Sequence, residues 1–586
     1  MPGGVVTRAR AGALLALVLL VALYVSQIGG WVLQDPDEGR YAEIPREMIE
    51  RDDWVTPKLF HVDYFEKPPL LYWLTAASFE TFGQTEAAAR VTPAVSGIVT
   101  VLLTFLLGLR LLGPRAAWLG AGMLATMPLF FALSQALLID MLLTACMTAT
   151  LLGVYGAHRA ESKRGWALLV GVSVALGMLA KGLVAIILPG AIALAFLLWR
   201  RDFPTVRALL DWRVILVFLA VTVPWFVLVS RRNPGFLEFF FVREHFHRFA
   251  GNAGVRVGHP EGPLYYVPVV LLGPAPWTLV ALVLAATQAG RRAFAAIPAE
   301  ARAFCLLWFG IVVLFFSAAS SKLGSYVLPA MPPLALLLGA WFDRALEERQ
   351  LATLVVRTLR VGFAAMGTLF ALVALLAWPL HGRLAAWLQQ DVGDVILIAG
   401  ATASVALCLL ATALASRGLR WQERGRPVAA VGLFIAGMAV ILACATQGRA
   451  VTKTARALAV EINAHHQPGD VIVSYKRLMQ SLAFYTRERI VQYDAYGEIK
   501  GGALTAPDHD AWFWNDPAPL EEAWASRRVF VATDMRWVPE LRELLDPEPR
   551  ILVQDHRRVV LVNFPASAHG SIEAHAPAPE AGEPGT

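Results

Sequence analysis

Charged residues are scarce in this chain of 586 residues. Asp, Glu, Lys and Arg make up 16% of it, against roughly a quarter in an ordinary soluble domain. With 57% hydrophobic residues and a mean hydropathy of +0.54, the chain cannot cover itself with a water-compatible surface, which excludes a purely soluble protein. Cysteine is scarce too. Cys146, Cys305, Cys408 and Cys444 all lie inside apolar runs, which argues against a disulfide framework, a paired-cysteine metal site and thiol catalysis. The segment after residue 447 lacks a G-x-G-x-x-G loop, so a nucleotide cofactor is not expected. The net charge of +6 could suggest nucleic acid, but cytoplasmic loops of membrane proteins collect Lys and Arg, so the excess is read as topology and no nucleic-acid partner is expected.

Apolar runs fall at 13–32, 89–109, 116–134, 139–157, 166–180, 182–199, 214–230, 264–286, 303–319, 326–342, 356–378, 393–415 and 427–446. A helical span needs about 20 such residues, so the fold class is an α-helical polytopic membrane protein of about thirteen spans. The first run lacks a convincing cleavage site and reads as an uncleaved span. Splitting 166–199 at Lys181-Gly182 puts every second connection (110–115, 159–164, 200–213, 291–302, 344–360, 417–426) on one side, and each carries Arg or Lys. That asymmetry places the N-terminus inside and everything after about residue 447 outside. The expected organisation is a membrane domain at 1–447 with large outer loops at 33–88 and 231–263, an α/β domain at 448–565, and a disordered tail at 566–586.

The first outer loop opens on Asp37 and Glu38 and continues as an amphipathic stretch with Tyr41, Ile44 and Met48 at helical spacing. Pro68-Pro69 then leads into an aromatic-rich stretch at 70–82, too short to span and expected to lie along the membrane surface. A carboxylate where a helix surfaces is well placed to act on a lipid-borne substrate. Asp37 could equally be a helix cap. Asp140, at the edge of an otherwise apolar helix, is a functional candidate by default, with an interhelical pair as the plain alternative. The second loop carries five Arg on the side where topology disfavours them.

Seven motifs in order carry a resemblance: Asp-Glu-Gly-Arg-Tyr-Ala-Glu-Ile at 37–44, Phe-Glu-Lys-Pro-Pro-Leu-Leu-Tyr-Trp-Leu at 65–74, Ala-Arg at 89–90, Ile-Asp-Met at 139–141, Ala-Lys-Gly-Leu at 180–183, Glu-His-Phe-His-Arg-Phe at 244–249 and Ser-Lys-Leu-Gly-Ser-Tyr-Val-Leu-Pro at 321–329. Together they resemble the bacterial aminoarabinose lipid A transferases, C-type glycosyltransferases related to the protein O-mannosyltransferases. The resemblance implies transfer of 4-amino-4-deoxy-L-arabinose from undecaprenyl phosphate to lipid A phosphates at the periplasmic face of the inner membrane, the step behind polymyxin resistance. It implies catalytic roles for Asp37 and Asp140, and substrate-binding roles for Arg40, Tyr41, Lys67, Lys181, Arg248, Lys322 and Tyr326.

The residue types suit that chemistry. Lys67, Arg40, Lys322 and Arg248 are cations on the outer side and could hold the donor phosphate, although headgroup binding to membrane lipids is the plainer role for such charge. A phosphate acceptor needs no general base, whereas a hydroxyl acceptor would make Asp37 the base. Glu66, His245 and His247 could hold a divalent metal such as Zn²⁺, in a structural role. Two other readings stay open: a related transferase acting on a protein hydroxyl, and a lipid transporter or flippase using Asp140 and Lys181. The second fits less well, because transporters place charges near the midplane and here they gather at one face.

Overall fold

The computed structural model describes residues 3–247, 261–377, 379–380, 392–418, 425–445, 454–504, 508–555 and 557–565. Two compact units divide the chain at Thr454 and Ala455.

The first unit is helical. Among the described residues, eight helices are long and apolar enough to cross a membrane, and ten if each of two bent pairs counts as one. The bent pairs are Pro114–Ala125 with Pro128–Ser134, and Tyr266–Leu272 with Trp277–Ala286. Shorter apolar helices at Leu14–Val25, Val184–Arg200 and Ala399–Ala415 occupy the remaining expected runs, so a count of thirteen requires these three to cross as well. The break at residue 182 has a local cause. Gly182 takes a φ of +80°, which a side chain would resist, and its N–H caps the carbonyl of Met178.

The helices that position the site are α1 (Gly3–Val25), α2 (Asp37–Arg51), α3 (Leu70–Phe82), α4 (Glu86–Leu111) and, further along the chain, α5 (Ile139–Arg159) and α6 (Arg164–Lys181). Tyr41, Ile44 and Met48 are buried in α2, but so is every residue from Glu38 to Met48, because the polar side is covered as well and its charges pair, as in Arg46 with Glu43. Between α2 and α3 a two-stranded hairpin, β1 (Lys58–Leu59) and β2 (Val62–Asp63), turns through Phe60 and His61, both at positive φ. The stretch at 70–82 is a helix with Pro69 at its N-cap, and Leu71, Tyr72, Thr75, Ala76, Ser78 and Phe79 are buried on its inner side. Thr85 caps α4 by accepting from the N–H of Ala88 at 3.2 Å.

The second unit is α/β. Its six-stranded sheet has the order Phe513–Trp514, Val491–Tyr493, Val471–Tyr475, Val529–Asp534, Arg558–Val562, Arg550–Gln554. The first four strands run parallel, and Arg558–Val562 pairs antiparallel with the neighbour on each side. Strand-like runs in the sequence at 470–474, 489–493, 528–533, 550–554 and 558–563 correspond to five of these strands. The two-residue strand Phe513–Trp514 and the helix Pro517–Ser526 were not expected, the strand because two residues show no alternation. The expected tail at 566–586 lies outside the described residues.

Close helix approach in the first unit depends on glycine. A Cβ on Gly339, in Met331–Glu347, would stand 2.5 Å from the backbone nitrogen of Gly120 and 2.7 Å from the carbonyl oxygen of Ala116. Backbone cannot yield there, so Gly339→Val should cost about 1–3 kcal/mol by overpacking. We expect a lowered thermal midpoint for that variant in detergent. Gly310→Ala, where a Cβ meets nothing within 4 Å, should leave the midpoint unchanged or slightly raised.

Candidate active site

The helices α2, α5 and α6 bring five of the expected residues, Asp37, Arg40, Tyr41, Asp140 and Lys181, to the end of the first unit that carries the two long loops. Asp37 is the first residue of α2. It is not the cap: Pro36 holds that position, and the Asp37 carboxylate instead pairs with Arg40 one turn on, while remaining 46% exposed. The Arg40 guanidinium lies 4.8 Å from the centre of the Tyr41 ring. Burial pushes the Tyr41 phenol up, Arg40 opposes this, and the charges of Asp37, Asp140 and Glu66 add to it, so all three carboxylates act on this one hydroxyl.

Asp140, in the first turn of α5, accepts a hydrogen bond from the ammonium of Lys181, the last residue of α6. Both side chains are mostly buried, and the same ammonium stands 4.5 Å from the centre of the Tyr326 ring. Asp140, Lys181 and Tyr326 therefore form one unit.

Lys67 reaches into the second long loop. Its Nζ donates to Glu244 Oε1 at 2.7 Å and to its neighbour's carbonyl, Glu66 O, at 2.8 Å. Glu244 belongs to a π-helical segment, Glu238–His247, and sequence reasoning gave it no role. Further stitches join the loops. Trp225 Nε1 donates to the carbonyl of Val55 at 3.0 Å, Arg232 pairs with Asp53 at 2.9 Å, and Phe65 packs edge-on against Phe236.

Lys322 differs from the other cations. It is 4% exposed and donates to two carbonyls, Glu261 O at 2.9 Å and Ala319 O at 2.6 Å, with no carboxylate partner among the described residues. A buried ammonium without a countercharge suits an anionic ligand. Arg248 and the side chains of His245 and His247 lie outside the described residues.

The metal expectation finds no support. No group of three His, Cys, Asp or Glu side chains among the described residues could hold an ion. Of the three expected ligands only the Glu66 side chain is among the described residues, and its charge acts on the phenol of Tyr41.

The residues that sequence reasoning missed are Glu38 and Arg90. Arg90 is wholly buried and clasps both oxygens of Glu38, at 2.8 and 2.9 Å. A signal existed: Arg90 lies inside an expected apolar span, where an ionised side chain demands a partner.

The comparisons with known proteins follow this geometry. A family model described as dolichyl-phosphate-mannose-protein mannosyltransferase matches residues 11–240. The chain is 34% identical over 420 residues to the undecaprenyl phosphate-alpha-4-amino-4-deoxy-L-arabinose arabinosyl transferase 1 of Sodalis glossinidius, covering 70% of this chain and 72% of that one. It is 32% identical over 393 residues to the corresponding transferase of Yersinia enterocolitica, covering 66% and 69%. With that of Serratia proteamaculans it is 32% identical over 376 residues, covering 63% of this chain and 65% of that one. A crystal structure of ArnT from Cupriavidus metallidurans bound to undecaprenyl phosphate superimposes with a TM-score of 0.82 at 26% identity, over 96% of this chain and 99% of that one. Fold and site together define a polytopic membrane glycosyltransferase. More narrowly, the chain belongs to the undecaprenyl phosphate-aminoarabinose arabinosyl transferase family.

One carboxyl of α2 is poised to titrate. Burial pushes Glu47 up to about 8, the neighbouring Glu43 adds to the rise, and Arg46 together with the N–H groups of His61 and Phe60 opposes it. Between the ordinary carboxylate range and about 8, the folded protein holds a proton that the unfolded chain has released. Stability is therefore greatest on the acid side of that window and falls as pH rises through it. Glu47→Gln should flatten this slope in thermal midpoints measured from pH about 5 to about 8.5. An unchanged slope would assign the titration to another group.

Proposed function

We propose that this protein moves 4-amino-4-deoxy-L-arabinose from undecaprenyl phosphate to phosphate groups of lipid A, at the periplasmic face of the bacterial inner membrane. The observation that carries the reading is the gathering of Asp37, Asp140, Lys67, Lys181 and Lys322 at one end of an apolar helical bundle. The activity for which its relatives are named and the undecaprenyl phosphate in the ArnT crystal support the substrate class. We assign the chemistry to 1–447, with the loops at 33–88 and 231–263 facing outward and 448–565 as a separate outer domain.

The lipid-linked donor already carries its leaving group, so the chemistry needs no nucleotide. In the transfer, the bond from the sugar's anomeric carbon to the donor phosphate oxygen breaks, and its electron pair stays on that phosphate. An oxygen of the acceptor forms the new bond. Lys322 and Lys67 meet the charge left on the leaving phosphate, Glu244 being the carboxylate that the phosphate replaces at Lys67. Asp37, still half exposed, is free to face the developing positive charge of the sugar or its amine. Lys181 orients the Asp140 carboxylate by hydrogen bonding to it, and the Tyr326 ring holds the Lys181 ammonium.

A second reading, transfer to a protein hydroxyl, draws on the mannosyltransferase family model, and one variant separates the two. For a lipid A phosphate acceptor, Asp37→Asn should cost about 100-fold or more, with a residual rate that does not recover as pH rises. For a hydroxyl acceptor, wild-type activity should follow the ionisation of Asp37. Lys67→Ala should cost a comparable factor, and Asp140→Asn a smaller one. The measurements are mass spectrometry of lipid A from cells carrying each variant, looking for added aminopentose, and transfer rates of purified protein across pH. Full activity of Asp37→Asn would remove Asp37 from the reaction.

A further inference from the structure

Two separate strips of chain carry Asp37 and Asp140, and a single carboxylate joins them. Glu38 follows Asp37 directly. Its Oε1 accepts from the backbone N–H of Leu137 at 2.9 Å, three residues before Asp140. Its Oε2 accepts from the N–H of Gln34 at 3.1 Å, three residues before Asp37. Both oxygens also accept from Arg90, whose remaining N–H groups reach the carbonyls of Ile28, Trp31 and Val32 at 3.0, 2.6 and 2.9 Å. The chain leading to Asp37 and the turn leading to Asp140 thus hang from one buried ion pair.

We infer that Glu38 and Arg90 are positioning residues of the transferase, a buried pair that fixes Asp37 and Asp140 at one separation. The inference rests on reading those two carboxylates as the ones that act on the sugar. Glu38 directs four hydrogen bonds inward, to two backbone N–H groups and one guanidinium, and is 5% exposed, so it acts on substrate only through its neighbours. A carboxylate suits this place because every group around it is a donor. Glutamine would turn an NH₂ toward either the Leu137 and Arg90 donors or the Gln34 and Arg90 donors, and one strip must then move. A displacement of about 1 Å at reacting groups can cost about 100-fold in rate. Lys67 and Lys322 are not bonded to this cluster, so binding of the donor phosphate should be spared.

The test uses the purified full-length enzyme with its lipid-linked donor, reading kcat, donor KM and thermal midpoint. Glu38→Gln should lower kcat by about 100-fold with donor KM within about 3-fold of wild type and the protein still folded at the assay temperature. In an Asp140→Asn background the same change should cost less than about 5-fold, because the alignment it protects is already without one carboxylate. Equal fractional losses in the two backgrounds, measured on folded protein, would overturn the positioning role. If Glu38→Gln does not yield folded protein, Glu38→Asp carries the same measurements. It keeps the charge but shortens the reach by one methylene, and wild-type kcat in it also overturns the inference. Asp37→Asn run alongside separates the two ideas. Activity there removes the underlying reading, whereas inactivity there with wild-type rates in both Glu38 variants removes the positioning role alone.

Discussion

A single guanidinium carries the frame of the first unit. Arg90 has no exposed surface, and all five of its N–H donors are used, two on Glu38 and three on backbone carbonyls between the first helix and Asp37. Water is absent at such a place, so the charge is tolerable only while every donor is met. Removing one partner of a buried pair of this kind costs about 3–5 kcal/mol, because the other charge is left uncompensated. The chain leaving α1, the start of α2, the first turns of α4 and the turn before α5 are therefore held as one body. Asp37 and Asp140 inherit their places from it.

Around that frame, charge is placed by what it can be paired with. Asp140 takes Lys181, and Lys67 takes Glu244. A second group links other helices: His158 Nδ1 meets Asp202 at 2.6 Å, and Glu300 accepts from the Tyr155 hydroxyl at 2.9 Å and pairs with Arg200 at 3.1 Å. Asp202 is held below the usual carboxylate range: burial works against this, and the hydrogen bonds from Thr205 and His158 overcome it. Paired groups of this kind resist change. Lys322, with carbonyls alone for company among the described residues, stands apart as a cation still able to take an anion.

Much of the fold was legible because hydropathy reports partition between water and apolar surroundings, and partition sets helices and strands. The apolar helices of the first unit and the strand Val471–Tyr475 follow from it, while the break at Gly182 follows from the backbone freedom of glycine. Short elements escape the same logic. The strand Phe513–Trp514 exists because Val491–Tyr493 offers it an edge, which no local pattern announces. The bent pair Tyr266–Leu272 with Trp277–Ala286 reads in sequence as one apolar run, since its composition does not change across the bend.

Within the site, identity was legible and partnership was not. Asp37, Asp140, Lys67 and Lys181 stand out as charges where apolar chain is expected, but what each does is fixed by the group it faces. Those groups are 41 residues away for Asp140 and Lys181, 52 for Glu38 and Arg90, and 177 for Lys67 and Glu244. Periodicity correlates residues within a few helical turns and carries no information at such separations. Electrostatics does carry some. A lone Arg in an apolar span must be matched by an acid at the same depth, and Glu38 was one of few acids beside the end of the adjoining span. Applied to Arg90, that requirement divides the neighbouring carboxylates of the Asp-Glu pair from sequence alone, Glu38 turned inward to the frame and Asp37 left for the substrate.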